Sequence, residues 1–335
     1  MKQMVLWVVF AFVFGIFLSG CTQHVTIKAL QPAEIDRAAT TKKVSVAYFE
    51  NDEFDVSSKI ETKLYEKTID NKQYFTVVSR KDFDEIIAEQ KLQSSGLIEV
   101  QKAIAVGNLI GAQAIVSGSV SNVSARDSYY YEKRLRCVDK RCERMREYLV
   151  GCTKRDVQLA AEVRMVDVAQ GDVIYAASIP ASTIWTHCDD DTHFIPTVDA
   201  AGQMLAERIA EHFIFKLTPH YVNMRVALLD DPDTKYDARE EKLLELALEF
   251  IEQNRLDKAE ELLTELVDAT EQQSYVAFYN LGVVKEAQGV YGEAQNYYKR
   301  ADALAIEPVE EINAAHFRID DLIQSHKKAM EQLKQ

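Results

Sequence analysis

Residues 75–120 read FTVVSRKDFDEIIAEQKLQSSGLIEVQKAIAVGNLIGAQAIVSGSV, and the switch of apolar period along this stretch decides the fold. Phe75–Val78 closes a short β-run that begins at Tyr74. Ser79 then stands at an N-cap with Asp82 in the capping-box position, and Phe83, Ile86 and Ile87 fall on one face of the helix that follows. A second helix is expected over Ile98–Ile110, ending where Gly111 can take a left-handed C′ conformation. Ala112–Val123 returns as a buried strand. Outward from this stretch the alternation continues. Lys43–Glu50 (KVSVAYFE) reads as a strand and Ser57–Asp70 as a helix carrying Ile60, Leu64 and Tyr65; Asp199–Leu217 reads as a long amphipathic helix with Met204, Leu205, Ile209 and Phe213 on one side. The expectation is an α+β chain whose first part is a mixed α/β domain.

The N-terminus reads as an address. Lys2 precedes a 15-residue apolar run, Met4–Leu18, shorter than the ~20 residues a spanning helix uses, so residues 1–20 read as a signal peptide. Leu18-Ser19-Gly20-Cys21 resembles the lipobox of bacterial lipoproteins. The resemblance implies that Cys21 is acylated and becomes the new N-terminus; Thr22 after it is similar to lipoproteins forwarded to the outer membrane, facing the periplasm. Residues 21–41 read as a tether without apolar periodicity.

Composition bounds what the mature chain does. Of 335 residues, 47% are hydrophobic and 27% charged, as in ordinary globular proteins, and the length suits two domains. The net charge of −14 argues against a nucleic-acid binder, which needs a basic footprint. The charge is unevenly placed. Asp230–Gln335 holds 24 Asp/Glu against 12 Lys/Arg, whereas Lys133–Arg155 holds nine basic residues against three acidic ones.

The four remaining cysteines fall in an oxidising compartment if the chain is exported. Arg155–Val168 and Val173–Thr186 read as a hairpin around Gln170-Gly171, in which the numbers of facing residues sum to about 341; Cys152 and Cys188 sum to 340. The same reasoning places a two-residue turn at Asp139-Lys140 with Cys137 opposite Cys142. Reduced thiols and the other two pairings stay open.

The Val-Val-Ser-Arg entry at residues 77–80, the Ile-Ala-Glu-Gln-Lys-Leu-Gln-Ser-Ser-Gly run at 87–96, the Gly111-Ala112…Gly118-Ser119 strand and the AEVRMVDVAQGDVIYAAS hairpin (Ala161–Ser178) together resemble the periplasmic domain of the CsgG-type lipoproteins, the family of the curli secretion channel. The resemblance implies that residues 42–230 form a CsgG-like domain, related in architecture to LpoB-type activators of penicillin-binding proteins. In the channel, two long hairpins close a barrel within a ring. Here the alternation of the first candidate puts Tyr129, Tyr131, Lys133 and Leu135 on one face and Tyr130, Glu132, Arg134 and Arg136 on the other, so that both faces carry charge. A lipid-facing Lys or Arg costs roughly 2–4 kcal/mol at midplane. The second candidate, THCDDDTHFIPTVD (Thr186–Asp199), is too short and too acidic to span. The tip residues Lys140, Arg141, Arg144 and Arg146 are expected to meet anionic headgroups or an acidic partner, or to keep a solvated loop soluble. The turn register sets Arg136 opposite Glu143, Glu132 opposite Glu147 and Lys133 opposite Arg146.

From residue 231 the pattern becomes helical and repeats. Leu243, Ala247, Phe250, Ala259 and Leu263 correspond to Phe278, Gly282, Lys285, Ala294 and Tyr298 at a spacing of 35 residues, measured from Ala259 to Ala294. This resembles the tetratricopeptide repeat, with Ala247, Ala259, Gly282 and Ala294 as the small residues where helices touch, and implies a peptide-binding groove; Lys285 stands where an aromatic is usual. Residues 308–333 are expected to cap the stack.

No phosphate loop, dinucleotide fingerprint, nucleophile elbow or zinc-protease motif occurs in the sequence. His187-Cys188-Asp189-Asp190-Asp191-Thr192-His193 offers metal donors, but its spacing fits no known metal loop, and the plainer account is a solvated acidic turn. No metal and no cofactor are therefore expected. The reading is a non-enzymatic adaptor, lipid-anchored in the outer membrane, which meets protein partners or copies of itself while an envelope component is assembled or secreted. A ring-forming secretion channel and an activator of peptidoglycan synthases are the alternatives.

Overall fold

A computed structural model describes residues 23–78 and 99–334. The segment read as a signal peptide, Cys21 and the helix expected from Ser79 lie outside the described residues. The chain divides into two compact units, one of residues 32–220 with 329–335, the other of residues 23–31 with 221–328.

The first unit is a layered α/β structure. Strands β2 (Lys43–Val46), β5 (Thr76–Val78), β6 (Ala114–Val120), β7 (Ser124–Cys137), β8 (Met145–Asp167) and β9 (Val173–Cys188) form one sheet, ordered β5-β2-β6-β8-β7 with β9 on the other side of β8. Strand β2 runs parallel to β5 and β6, and every later pairing is antiparallel. Side-chain alternation sends Val44, Val46, Ala114, Val116, Val163 and Met165 to one face, where α2 (Val56–Glu66) and α4 (Val198–Leu217) bury Ile60, Leu64, Leu205, Ile209 and Phe213. It sends Ala47, Ile115 and Val166 to the other face, against Ala103 and Val106 of α3 (Val100–Ile110). Met204, placed by the sequence on the apolar side of α4, is 50% exposed.

Local chemistry fixes the ends of these elements. Gly111 closes α3 at φ 65°. The Asp52 carboxylate accepts the Val56 and Ser57 amides and so starts α2, which stops at Glu66 because Thr68–Ile69 (β3) pairs with Lys72–Gln73 (β4). A Cβ on Gly118 would lie 2.4 Å from the Glu162 carbonyl and 2.6 Å from the Phe49 ring, so the strand motif needs its glycine.

The stretch read as a tether is structured. Residues 24–31 form β1 (His24–Gln31), followed by the short helix α1 (Asp36–Thr40). Val25, Ile27 and Ala29 alternate and are buried, a period-two signal that the sequence reading missed. Strand β1 pairs with β10 (His220–Ala227), and both contribute to the core of the second unit.

That second unit is all-helical beyond this ribbon, with α5 (Ala238–Glu252), α6 (Leu256–Ala269), α7 (Tyr275–Ala287), α8 (Tyr291–Leu304) and α9 (Glu310–Lys334). Asp237 and Glu240 form a capping box at the start of α5. Ala247, Ala259 and Ala294 are fully buried. Lys285, out of pattern as a cation, is held between Glu260 at 2.8 Å and Glu293 at 2.9 Å. Glu286 is fully buried and receives a two-pronged bond from Arg318 at 2.7 and 3.0 Å, with the Tyr298 hydroxyl donating to the same carboxylate. Burial, reinforced by Glu286, pushes the Tyr298 phenol well above its ordinary value.

The last residues of α9 belong to the α/β unit. Gln332 is 1% exposed, accepts the Ala33 amide at 2.8 Å and donates to Asp36 at 2.8 Å. Lys42 caps this end by donating to the Gln332 carbonyl at 2.9 Å and lies over the Tyr74 ring; burial lowers its ammonium to about 8.

Candidate functional site

Beyond the part of β8 that pairs with β6, the sheet narrows to β7, the first half of β8 and the end of β9. Strands β7 and β8 pair over fourteen residues, from Ser124↔Gln158 to Cys137↔Met145. This register differs from the one expected. The turn spans residues 138–144 instead of two, so Arg136 faces Arg146, Glu132 faces Val150 and Lys133 faces Leu149. The Asp139 side chain causes the longer turn: its carboxylate accepts the amides of Glu143 at 2.9 Å and Arg144 at 3.1 Å. Cys142 takes a positive φ of 56°, which brings its sulfur back to Cys137. The backbone bonds at Glu143, then those at Arg144, hold the Asp139 carboxyl below the usual carboxylate range.

Cys137 is bonded to Cys142 and Cys152 to Cys188. The second bridge joins residues directly opposite in the β8–β9 register. The two sulfurs pack with Val150 under a half-buried Tyr148, a small core of their own. Glu132 stands 3.5 Å from the Cys188 sulfur, making the three residues the one metal-capable cluster among the described residues, but both sulfurs are spent on the disulfide.

The acidic turn after β9 closes over this small core. Arg134 donates to Asp190 and, at 2.8 Å, to Asp191, while Tyr148 donates to Asp190. Arg134 in turn holds the Asp191 carboxyl down. His187 and His193 stack edge to face at 5.9 Å, and His193 reaches the Thr186 carbonyl. The turn thus serves as a lid for the basic hairpin, a role visible in sequence only as opposite charges 56 residues apart.

The two faces of the hairpin differ more than the sequence reading allowed. One face carries Tyr129 and Tyr131, each 77% exposed, with Leu135, Met145 and Leu149 at 64, 59 and 63%. Its charges are neutralised where they stand: Lys133 meets Glu147 at 3.3 Å and Arg155 meets Asp127. On the other face Arg134 is paired under the acidic turn, and beyond it Arg136 and Arg146 lie opposite each other. Lys140, Arg141, Arg144 and Arg146 are all exposed at the tip, Arg144 facing Asp139 at 3.5 Å and Arg141 facing Glu143 at 3.9 Å.

In the helical unit a cavity of about 800 Å³ is lined by Asp233, Tyr275, Leu304, Ile306, Glu307 and Glu310, among others. Ile306 is 99% exposed there. Among the described residues no helix is long and apolar enough to cross a membrane.

Residues 40–185 match the family of the curli production assembly/transport component CsgG. The matched residues take in the sheet of the α/β unit and most of both hairpins. The matched residues stop short of helices α5–α9, and no curated protein is significantly similar to the chain. Among solved structures, the C-terminal domain of LpoB from Salmonella enterica is similar at 15% identity over 44% of this chain and 95% of its own, with a TM-score of 0.25. Lipoprotein GNA1162 from Neisseria meningitidis is similar at 11% identity over 52% of this chain and 98% of its own, also at 0.25. The PelC dodecamer from Paraburkholderia phytofirmans is similar at 13% identity over 56% and 94%, at 0.21.

Proposed function

We propose that the protein is an outer-membrane lipoprotein that faces the periplasm and works by binding, as an adaptor in the assembly or secretion of an envelope component. The observation that carries this reading is the CsgG-type domain at residues 40–185, joined in one chain to a helical unit of repeat pattern. Acylated Cys21 fixes the location, the CsgG-type domain meets an envelope complex or further copies, and the helical unit recruits a polypeptide. The open cavity of that tetratricopeptide-like unit is lined by the acids Asp233, Glu307 and Glu310 beside the exposed apolar Ile306, which suits a basic segment with an apolar anchor. Labelled palmitate should enter the protein and fail to enter Cys21→Ser. A partner crosslinked to the acylated protein in its own membranes should be lost with Ile306→Asp and Glu310→Lys. Retention of the label by Cys21→Ser, or of the partner by both variants, overturns the reading.

A ring-forming secretion channel is the second reading, and one observation favours it. The outer edges of β7 and β9 are unpaired in the sheet of the described residues, and strands of 14 and 16 residues exceed the ~9–11 that a barrel strand needs. Light scattering of the detergent-solubilised protein separates the two, since a channel requires a stable ring of many copies.

A further inference from the structure

The apolar face of the β7–β8 hairpin has no cover among the described residues, and its position beside a cluster of unmatched cations says what it meets. We infer that the hairpin lies flat on an anionic lipid surface, with Tyr129, Tyr131, Leu135, Met145 and Leu149 set into the interfacial zone and the tip cations on phosphate headgroups. Single exposed apolar residues are ordinary; five large ones on one side of a two-stranded ribbon mark an interaction site. The tip selects the partner. Arg136 and Arg146 face each other across the strands, where like charges repel; they leave from the face opposite the tyrosines, but next to the tip, where their long side chains can snorkel round the end of the narrow ribbon, and among the described residues no acidic side chain stands within ion-pair distance of either, or of Lys140. The two acids of the tip, Asp139 and Glu143, are already engaged by Arg144 and Arg141. An anionic surface supplies what the chain withholds, and tyrosines beside arginines are the side chains that settle at headgroup depth.

Lying flat is preferred to crossing for two physical reasons. The Lys133–Glu147 pair sits in the middle of the apolar face, at 70 and 58% side-chain exposure, and would have to be buried at midplane. Among the described residues nothing pairs with the outer edge of β7, whose backbone donors and acceptors water at the interface satisfies and hydrocarbon does not. The inference is independent of the adaptor reading, because it concerns the lipid contact of the hairpin and not what the helical unit recruits.

The test uses the full acylated chain reconstituted into vesicles, so that the anchor is the same throughout and only the hairpin's surroundings are read. Tyr131→Trp places a reporter on the apolar face and Tyr130→Trp one on the opposite face. In phosphatidylglycerol vesicles the Tyr131→Trp emission should shift to the blue and be quenched by lipids brominated near the glycerol, with Tyr130→Trp little affected. Phosphatidylcholine vesicles, or Arg136→Glu, Lys140→Glu and Arg146→Glu together, should lower that quenching roughly tenfold. An intact Cys152–Cys188 bridge, read by peptide mapping, shows that each variant is folded, and Gln in place of Glu should give the same direction with a smaller drop. Emission unchanged between vesicles and detergent, or equal quenching in neutral lipid, overturns the inference. Quenching strongest from bromines at the chain ends, accompanied by dye release, overturns it in favour of a spanning hairpin.

Discussion

The helical unit and the β7–β8 hairpin answer the same problem, how to keep charged groups in a fixed place, by opposite means. In the helical unit a large apolar core surrounds Glu286, so the charge is buried, paired with Arg318 and tied to Tyr298. Among the described residues the hairpin has no buried core beyond Val150 and one disulfide, so its charges stay at the surface and covalent bridges do the holding. Where apolar burial is plentiful a polar network becomes a constraint on specificity; where it is scarce, cross-links replace packing.

The sharpest way to break this contrast is to unpair the buried charge. Glu286→Ala leaves Arg318 partly buried with no counter-charge and should destabilise the helical unit by about 3–5 kcal/mol in urea unfolding. The double change Glu286→Met with Arg318→Met should recover most of that loss. A double variant as unstable as the single one would mean that the ion pair itself, not the stranded charge, holds the helices. In the hairpin the matching change is Cys152→Ser with Cys188→Ser. The bridge closes 36 residues, so its loss should cost about 4 kcal/mol by loop-closure entropy, against about 2 for the Cys137–Cys142 bridge, which closes five. Equal losses would show that loop length does not set what each bridge contributes. Gly282→Ala tests how tightly the helices touch. The new Cβ would lie 2.6 Å from the Tyr298 ring, which its bond to Glu286 prevents from moving away, so overpacking should cost about 1–3 kcal/mol.

The two regions were also unequally legible. Period and capping residues place α3, α4 and the repeat helices, and the turn at Gln170-Gly171 gives the β8–β9 register to within one residue, enough to set Cys152 against Cys188. Those signals are local. The first hairpin failed because its turn is built by one side chain, Asp139, whose reach over two amides adds residues that a counting rule for tight turns cannot see. Strands β1 and β10 failed for another reason: each is a single short alternation, and their pairing spans almost two hundred residues of chain. The neutralised apolar face needed the true register, since only that places Lys133 near Glu147 rather than beside Arg146.

The smallest expected effect bears on what orders the tip. Two restraints act there, the Cys137–Cys142 bridge and the Asp139 carboxylate, and only the second depends on pH. Because its folded-state pKa lies below the usual carboxylate value, the carboxylate's contribution is present in full above the unfolded pKa near 4 and is lost as pH falls through the lower, folded value. The Glu143 and Arg144 amide resonances should therefore hold steady from neutral pH down to about 4 and move together below it. In Asp139→Ala they should be displaced at every pH and show no such step. In the bridge-free Cys137→Ser, Cys142→Ser pair the step should persist with broader lines, since the carboxylate still gathers the two amides while the chain around it is looser. If the step vanishes with the bridge, the disulfide positions Asp139 and the carboxylate is only a passenger; if it survives, the polar turn forms first and the cysteines lock a geometry already made.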